Sequence, residues 1–137
     1  RPGTFFTMAS GGLGFGMPAA VGIALAQRDR RVIALIGDGS SMYSIQSLWS
    51  AAQLGLDVTF VVLNNGGYAA MKRHAGLLGF APGEKVVGIA VPGIRYDQLA
   101  IAQGCPGERV TDAQGLHAVL EAALARKGCS LVEVVIG

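Results

Sequence analysis

Two polar segments carry the side chains whose types and spacing could do chemistry: Gly37-Asp38-Gly39-Ser40 and, with 24 residues between Gly39 and Asn64, Asn64-Asn65-Gly66-Gly67. Asp38 offers a carboxylate and Asn65 an amide oxygen, and the glycines leave backbone carbonyls open to a ligand. An all-oxygen set of this kind suits a hard cation such as Mg²⁺, whereas zinc would call for His or Cys. A Mg²⁺ ion held by so few protein groups completes its octahedron with phosphate oxygens and water, so the cation implies a phosphorylated ligand. Gly39 and Ser40 would add unhindered N–H groups and a hydroxyl for those phosphates. The competing reading makes both segments plain turns, since Gly, Asp and Asn are the commonest turn formers. Two such segments, one bringing an acid and the other an amide, favour the metal–phosphate site.

The elements that must position these groups are legible as apolar patterns. Residues 32–36 form a continuous apolar run, expected as a strand buried on both faces of a parallel sheet, and 58–63 reads as a second buried strand. Between them Ile45, Leu48, Trp49 and Ala52 keep helical spacing from Ser44 to Gly55, which places Trp49 in the core and gives a strand–helix–strand unit with a right-handed crossover. Ligands of open parallel sheets bind at the carboxyl ends of the strands, so the two polar segments are expected side by side. Pro18 suits the first turn of a helix over 19–27, and further helices are expected over 68–78 and 96–103. Asp112 can cap a helix with the stripe Leu116, Val119, Leu120, Ala123 and Leu124, closed by Gly128, and 131–136 reads as a third buried strand. Residues 79–93, with Pro82-Gly83 and Pro92-Gly93, read as a loop. The expected fold class is α/β, a mainly parallel sheet flanked by helices, as one domain over 1–137.

Composition narrows the function classes. With 137 residues, 51% of them hydrophobic, the chain can bury one core and is too short for two ordinary domains. Its 21 glycines have no repeat and lie between apolar runs, which excludes a collagen-like or disordered chain. A net charge of +2 with scattered basic residues gives no nucleic-acid footprint. Cys105 and Cys129 belong to no CxxC pair or histidine cluster, so neither a disulfide framework nor a zinc site is expected; both thiols read as buried structural residues, and a cytoplasmic location fits. Residues 2–27 are uncharged and end in Ala24-Leu25-Ala26, superficially like a signal peptide, yet glycines and Pro18 interrupt them and no membrane segment is expected. The opening residue, Arg1, is consistent with a fragment of a longer protein.

The Gly-Asp-Gly segment, the 24-residue spacing and the Asn-Asn pair resemble the cofactor signature of thiamine-diphosphate-dependent enzymes. Gly11-Gly12-Leu13-Gly14-Phe15-Gly16-Met17-Pro18-Ala19-Ala20, residues 37–49 and Asn64 through Tyr68 extend the likeness to the carboxyl-terminal cofactor domain of benzoylformate decarboxylases. The resemblance implies that Asp38, the Asn65 side chain and the Gly67 carbonyl bind Mg²⁺, and that Gly37, Gly39, Ser40 and Tyr68 help hold the diphosphate. It also implies that the Gly11 carbonyl accepts from the aminopyrimidine while Leu13 props thiamine diphosphate in its V shape. The implied reaction is cleavage of a small-molecule 2-oxo acid next to its keto group, with the thiazolium ring as electron sink. A glutamate that activates the pyrimidine comes, in that family, from a separate pyrimidine-binding domain, usually on a neighbouring subunit. No acid here sits in a matching motif, so the chain alone is expected to be catalytically incomplete and to work in a homodimer or homotetramer.

His74 falls where the family faces substrate, so it is a candidate pocket residue; a helical histidine is otherwise surface or filler. His117 is expected to face water. Two other readings stay open. An acetolactate synthase-like carboligase would share the same cofactor chemistry. In a different class, Gly14-Phe15-Gly16-Met17-Pro18-Ala19 fits GxGxxA with Asp38 about twenty residues on, the fingerprint of a NAD-binding module, although residues 5–8 make a poor preceding strand.

Overall fold

Four strands build the sheet, three of them from apolar runs rich in β-branched residues. In the computed structural model, which describes residues 3–8, 10–81 and 83–136, these are β1 (Val32–Gly37), β2 (Val58–Asn64), β3 (Gly107–Val110) and β4 (Ser130–Val135). All pairings are parallel and the order is β1-β2-β4-β3. Register runs from Val32 opposite Val58 to Gly37 opposite Leu63, and from Thr59 opposite Ser130 to Asn64 opposite Val135. β1 and β2 therefore end level with one another, and their following loops emerge side by side.

Helices α1 (Gly16–Ala26), α2 (Asp38–Ser41), α3 (Ser47–Gln53), α4 (Ala69–His74), α5 (Tyr96–Ala102) and α6 (Ala113–Ala125) connect and cover the strands. Met17, Ala20 and Ala24 of α1, Leu48 and Ala51 of α3 and Tyr96 and Ala100 of α5 pack with Ala34, Ile36, Val58, Phe60, Val62 and Leu131 in the larger core. On the opposite face α6 covers Val61, Val110, Val132 and Val134. Phe60 is fully buried at the centre of the first layer. Phe60→Ala is expected to cost about 3–5 kcal/mol in a denaturant titration, because a rigid sheet cannot collapse into the vacated volume.

Several expectations are corrected. Ile33 and Leu35 of β1 are exposed, because α6 lies over the other three strands and leaves the back of this edge strand bare; β1 is buried on one face only. A fourth strand, β3, was not expected: Gly107-Glu108-Arg109-Val110 has one apolar residue and is held by pairing with β4. The helix expected from Ser44 starts at Ser47, and Trp49 is 56% exposed rather than core, since Leu48 and Ala51 take the buried face. The helix over 68–78 is α4 followed by a 3-10 turn at Ala75–Leu78, ended by left-handed Gly79. Gly128 has φ +84°, but α6 ends at Ala125 with Arg126 already extended, so this glycine turns the chain into β4 instead of terminating the helix. The first helix begins at Gly16, which keeps Pro18 in its first turn, where the missing N–H has no intrahelical acceptor. Pro82 lies outside the described residues.

Asp112 caps α6 as expected, its carboxylate accepting from Gly115 N–H at 2.8 Å. At the amino edge of the sheet Arg31 donates to Thr59 Oγ1 at 3.0 Å, to the Gly128 carbonyl at 3.3 Å and to the Arg126 carbonyl, and pairs with Asp57 at 3.3 Å. Asp57 also accepts from Gly128 N–H at 2.6 Å. Cys105 and Cys129 are both buried and reduced. No helix among the described residues is long and apolar enough to cross a membrane.

Candidate functional site

β1 runs without a break into α2, and its register with β2 sets Asp38 beside the loop that follows Asn64. Asp38 is 1% exposed. Its Oδ2 accepts from Gly67 N–H at 2.9 Å, and the Asn65 amide oxygen reaches the same N–H at 3.2 Å. One backbone donor thus gathers the acid of the first segment and the amide of the second. The Gly66 carbonyl is taken by Val91 N–H at 2.8 Å, whereas no backbone hydrogen bond among the described residues engages the Gly67 carbonyl. No cluster of three His, Cys, Asp or Glu side chains exists among the described residues. A cation here would meet one carboxylate plus neutral oxygens, the donor chemistry of a hard ion that brings its own phosphate ligands.

Gly67 cannot carry a side chain. An added Cβ would collide with the Ile89 carbonyl oxygen, which accepts from Tyr68 N–H at 2.8 Å and so cannot retreat. At Gly39 a Cβ would lie 2.5 Å from Tyr68 Cε1, so the Tyr68 ring occupies the space that a side chain on the first segment would need. Tyr43 meets Tyr68 edge to face with ring centroids 6.4 Å apart.

The glycine-rich opening is fastened to the same place. Ser40 Oγ accepts from Gly14 N–H at 3.2 Å, and Ser44 Oγ donates to the Gly14 carbonyl at 2.7 Å. Gly14 has φ +83°, and a Cβ would sit 2.7 Å from that of Tyr43, so only glycine fits. Gly11, Leu13, Gly37 and Ser40 line one end of a cavity of about 850 Å³ whose other walls include Ile33 and Leu35. Leu13 is half exposed. His74 lies apart: it is exposed on α4, its Nδ1 is 2.7 Å from the Ala70 carbonyl of its own helix, and it lines neither this cavity nor a smaller one beside α4. His117 faces water, paired with Glu121 at 3.4 Å.

Groups that sequence reasoning passed over also touch the site. Tyr96 donates its hydroxyl to the Asp38 carbonyl at 3.2 Å. Burial first, then the charges of Asp38 and Glu133, push its phenol far above the usual range, which keeps it a donor. Asn64 Oδ1 accepts from Gly66 N–H at 3.0 Å. Next to Tyr96, hydrogen bonds from Arg95 hold the Asp97 carboxyl well below the usual carboxylate range. Glu133, a lone acid inside the apolar run of β4, was the visible signal. The NAD fingerprint fails on local structure: residues 5–8 form no strand ahead of Gly14, so the turn between strand and helix that the fingerprint requires is absent from the described residues.

A parallel sheet whose polar loops converge at its carboxyl edge, with one buried acid and bare glycine backbone around it, defines an α/β ligand-binding domain. Residues 1–134 match the family model described as thiamine pyrophosphate enzyme, C-terminal TPP binding domain. The chain belongs to the thiamine pyrophosphate enzyme family and carries its C-terminal cofactor-binding domain. It is 43% identical to benzoylformate decarboxylase of Pseudomonas aeruginosa over 98% of this chain and 25% of that protein. It is 35% identical to the acetolactate synthase isozyme 1 large subunit of Escherichia coli over 98% of this chain and 24% of that protein. Among solved structures, benzoylformate decarboxylase from Polynucleobacter necessarius superposes with a TM-score of 0.90 at 37% identity, covering 99% of this chain and 26% of that one. A thiamine diphosphate-dependent 4-hydroxybenzoylformate decarboxylase of Rhodococcus jostii gives 0.86 at 44% identity, over 93% and 24%. The chain spans about a quarter of the length of these relatives.

Proposed function

We propose that this chain is the thiamine-diphosphate- and Mg²⁺-binding part of a cytoplasmic 2-oxo-acid decarboxylase of the benzoylformate decarboxylase type. The observation that carries the reading is the Gly67 N–H shared by Asp38 and Asn65, which makes one oxygen-lined corner from two loops. In that corner Asp38, the Asn65 amide oxygen and the Gly67 carbonyl would ligate Mg²⁺. Gly37, Gly39, Ser40 and Tyr68 would hold the diphosphate; Gly39 and Ser40 stand in the first turn of α2, where N–H groups lack intrahelical acceptors. The Gly11 carbonyl and Leu13 would receive the pyrimidine end, at the cavity that also reaches Ser40. When bound, thiamine diphosphate supplies an electron sink for C–C cleavage beside a keto group. The pyrimidine-activating glutamate comes in this reading from a pyrimidine-binding part outside these residues, in a homo-oligomer, and His74 would meet substrate only in that assembly.

Titration calorimetry with thiamine diphosphate, with and without Mg²⁺, tests the reading. Binding that requires Mg²⁺ and falls at least ~10-fold in Asn65→Ala is expected; equal affinity in the absence of Mg²⁺, or binding of NAD instead, overturns it. The likeness to acetolactate synthase supports a second reading, a carboligase. Product analysis of the complete enzyme with a single 2-oxo acid separates the two: an aldehyde with released CO₂ for a decarboxylase, a 2-hydroxy ketone or acid for a carboligase.

A further inference from the structure

We infer that Glu133 is the positioning residue that sets both cofactor loops from beneath, an inference that rests on the function proposed above. Its side chain is completely buried on the central strand β4, and each of its oxygens serves a different part of the site. Oε1 accepts from Asn64 Nδ2 at 2.7 Å and pairs with Arg109 Nε at 3.3 Å. Oε2 accepts from Tyr96 N–H at 3.1 Å and Asp97 N–H at 3.3 Å, the first backbone amides of α5. Through Asn64 the carboxylate fixes the Gly66 N–H, one residue from the Gly67 donor that joins Asp38 to Asn65. Through Tyr96, whose hydroxyl donates to the Asp38 carbonyl, it fixes the other loop. A buried carboxylate costs several kcal/mol unless fully hydrogen-bonded, and an apolar residue would fill a strand at no such cost. Here the four donors come from the elements that the two loops must be registered against, and Glu133 itself touches neither Asp38 nor Asn65.

The chemistry demands a carboxylate and not merely a polar side chain. Asn64 must aim its amino group at position 133 so that its oxygen can face Gly66 N–H. An amide at 133 that keeps its oxygen on the α5 amides presents its own amino group to the Asn64 and Arg109 donors. If Asn64 flips to repair that clash, it turns a donor towards Gly66 N–H. The loop on the Asn65 side then loses its anchor in either arrangement. Moving the charge one partner along relieves the clash between positions 133 and 64 and keeps the Gly66 anchor, because a carboxylate at 64 accepts both from the new amide at 133 and from Gly66 N–H.

The test compares wild type, Glu133→Gln, the double exchange Glu133→Gln with Asn64→Asp, Asn64→Ala and, as a core control on the same strand, Val134→Ala, in the full-length protein. Backbone amide exchange at Gly66 is read without any ligand, and Mg²⁺-dependent affinity for thiamine diphosphate is read by calorimetry. Glu133→Gln and Asn64→Ala are expected to speed Gly66 exchange at least ~10-fold relative to the sheet amides and to weaken Mg²⁺-dependent binding by about 10–100-fold. The double exchange restores both to within about threefold, and Val134→Ala lowers the unfolding midpoint without either effect. Native Gly66 exchange in Glu133→Gln, or failure of a folded double exchange to restore it, overturns the inference. If Glu133→Gln does not fold, the contrast between Asn64→Ala and the double exchange decides. If wild type binds no thiamine diphosphate with Mg²⁺, the proposed function fails while Gly66 exchange still judges Glu133.

Discussion

Asp38→Asn is expected to abolish Mg²⁺-dependent binding of thiamine diphosphate, a loss of more than ~100-fold, while the chain keeps its unfolding midpoint to within a few degrees. The asparagine has the shape of the carboxylate it replaces and can still accept from Gly67 N–H through its oxygen, so the link at 2.9 Å between the two loops survives. What disappears is the charge. In the proposed site Asp38 is the one carboxylate, since Asn65 and the Gly67 carbonyl would contribute neutral oxygens, and a divalent ion facing a diphosphate would need that negative charge to be held on the protein side. Far-UV circular dichroism establishes the intact fold, and calorimetry at saturating Mg²⁺ reads the affinity. Retention of Mg²⁺-dependent binding would move the cation away from Asp38.

Gly67→Ala is expected to damage both the fold and the proposed ligand binding. The methyl group would be driven into the Ile89 carbonyl oxygen and the Ala90 backbone, which are fixed by the pairing of Tyr68 N–H with Ile89 and of Val91 N–H with Gly66. Backbone cannot swing aside as a side chain does, so the expected loss is about 1–3 kcal/mol in a denaturant titration. A displaced loop would carry Asn65 with it, so Mg²⁺-dependent binding is expected to fall at least as far as in Asn65→Ala. Gly22→Ala supplies the contrast: that glycine lies in α1 with open space where the methyl would go, so the same change is expected to stabilise by about 0.8–1 kcal/mol.

The parts of this molecule that were legible in the sequence are those specified locally. Residues 32–36 and 58–63 announce strands through their largely apolar character, and the polar residues that follow them are adjacent because parallel strands in register end together. The juxtaposition of Asp38 with Asn65 therefore follows from the sequence pattern. β3 could not, because Glu108 and Arg109 form a strand only by pairing with Val132 and Glu133 of β4, a partner some twenty residues away. Trp49 was misassigned for a related reason: helical spacing gives a stripe several residues wide, and which edge of it is buried depends on the neighbouring helix and sheet. The unexpected bareness of Ile33 and Leu35 follows from the position of α6, which no property of β1 encodes. Glu133 was conspicuous as an acid in an apolar run, but its partners Asn64, Tyr96 and Arg109 converge from three elements and leave no mark in the local pattern.

The Arg31 fastening occupies the opposite end of the strands from Asp38 and Asn65, and a six-residue strand separates them by about 20 Å. Sites so far apart, with no shared partners, contribute almost additively. For protein engineering this makes the molecule a tool with a separate handle and blade. Substitutions around Asp57, Arg126 and Gly128 can be selected for heat tolerance, while those around the carboxyl loops are selected for ligand preference, and the two libraries can be merged without rescreening every combination.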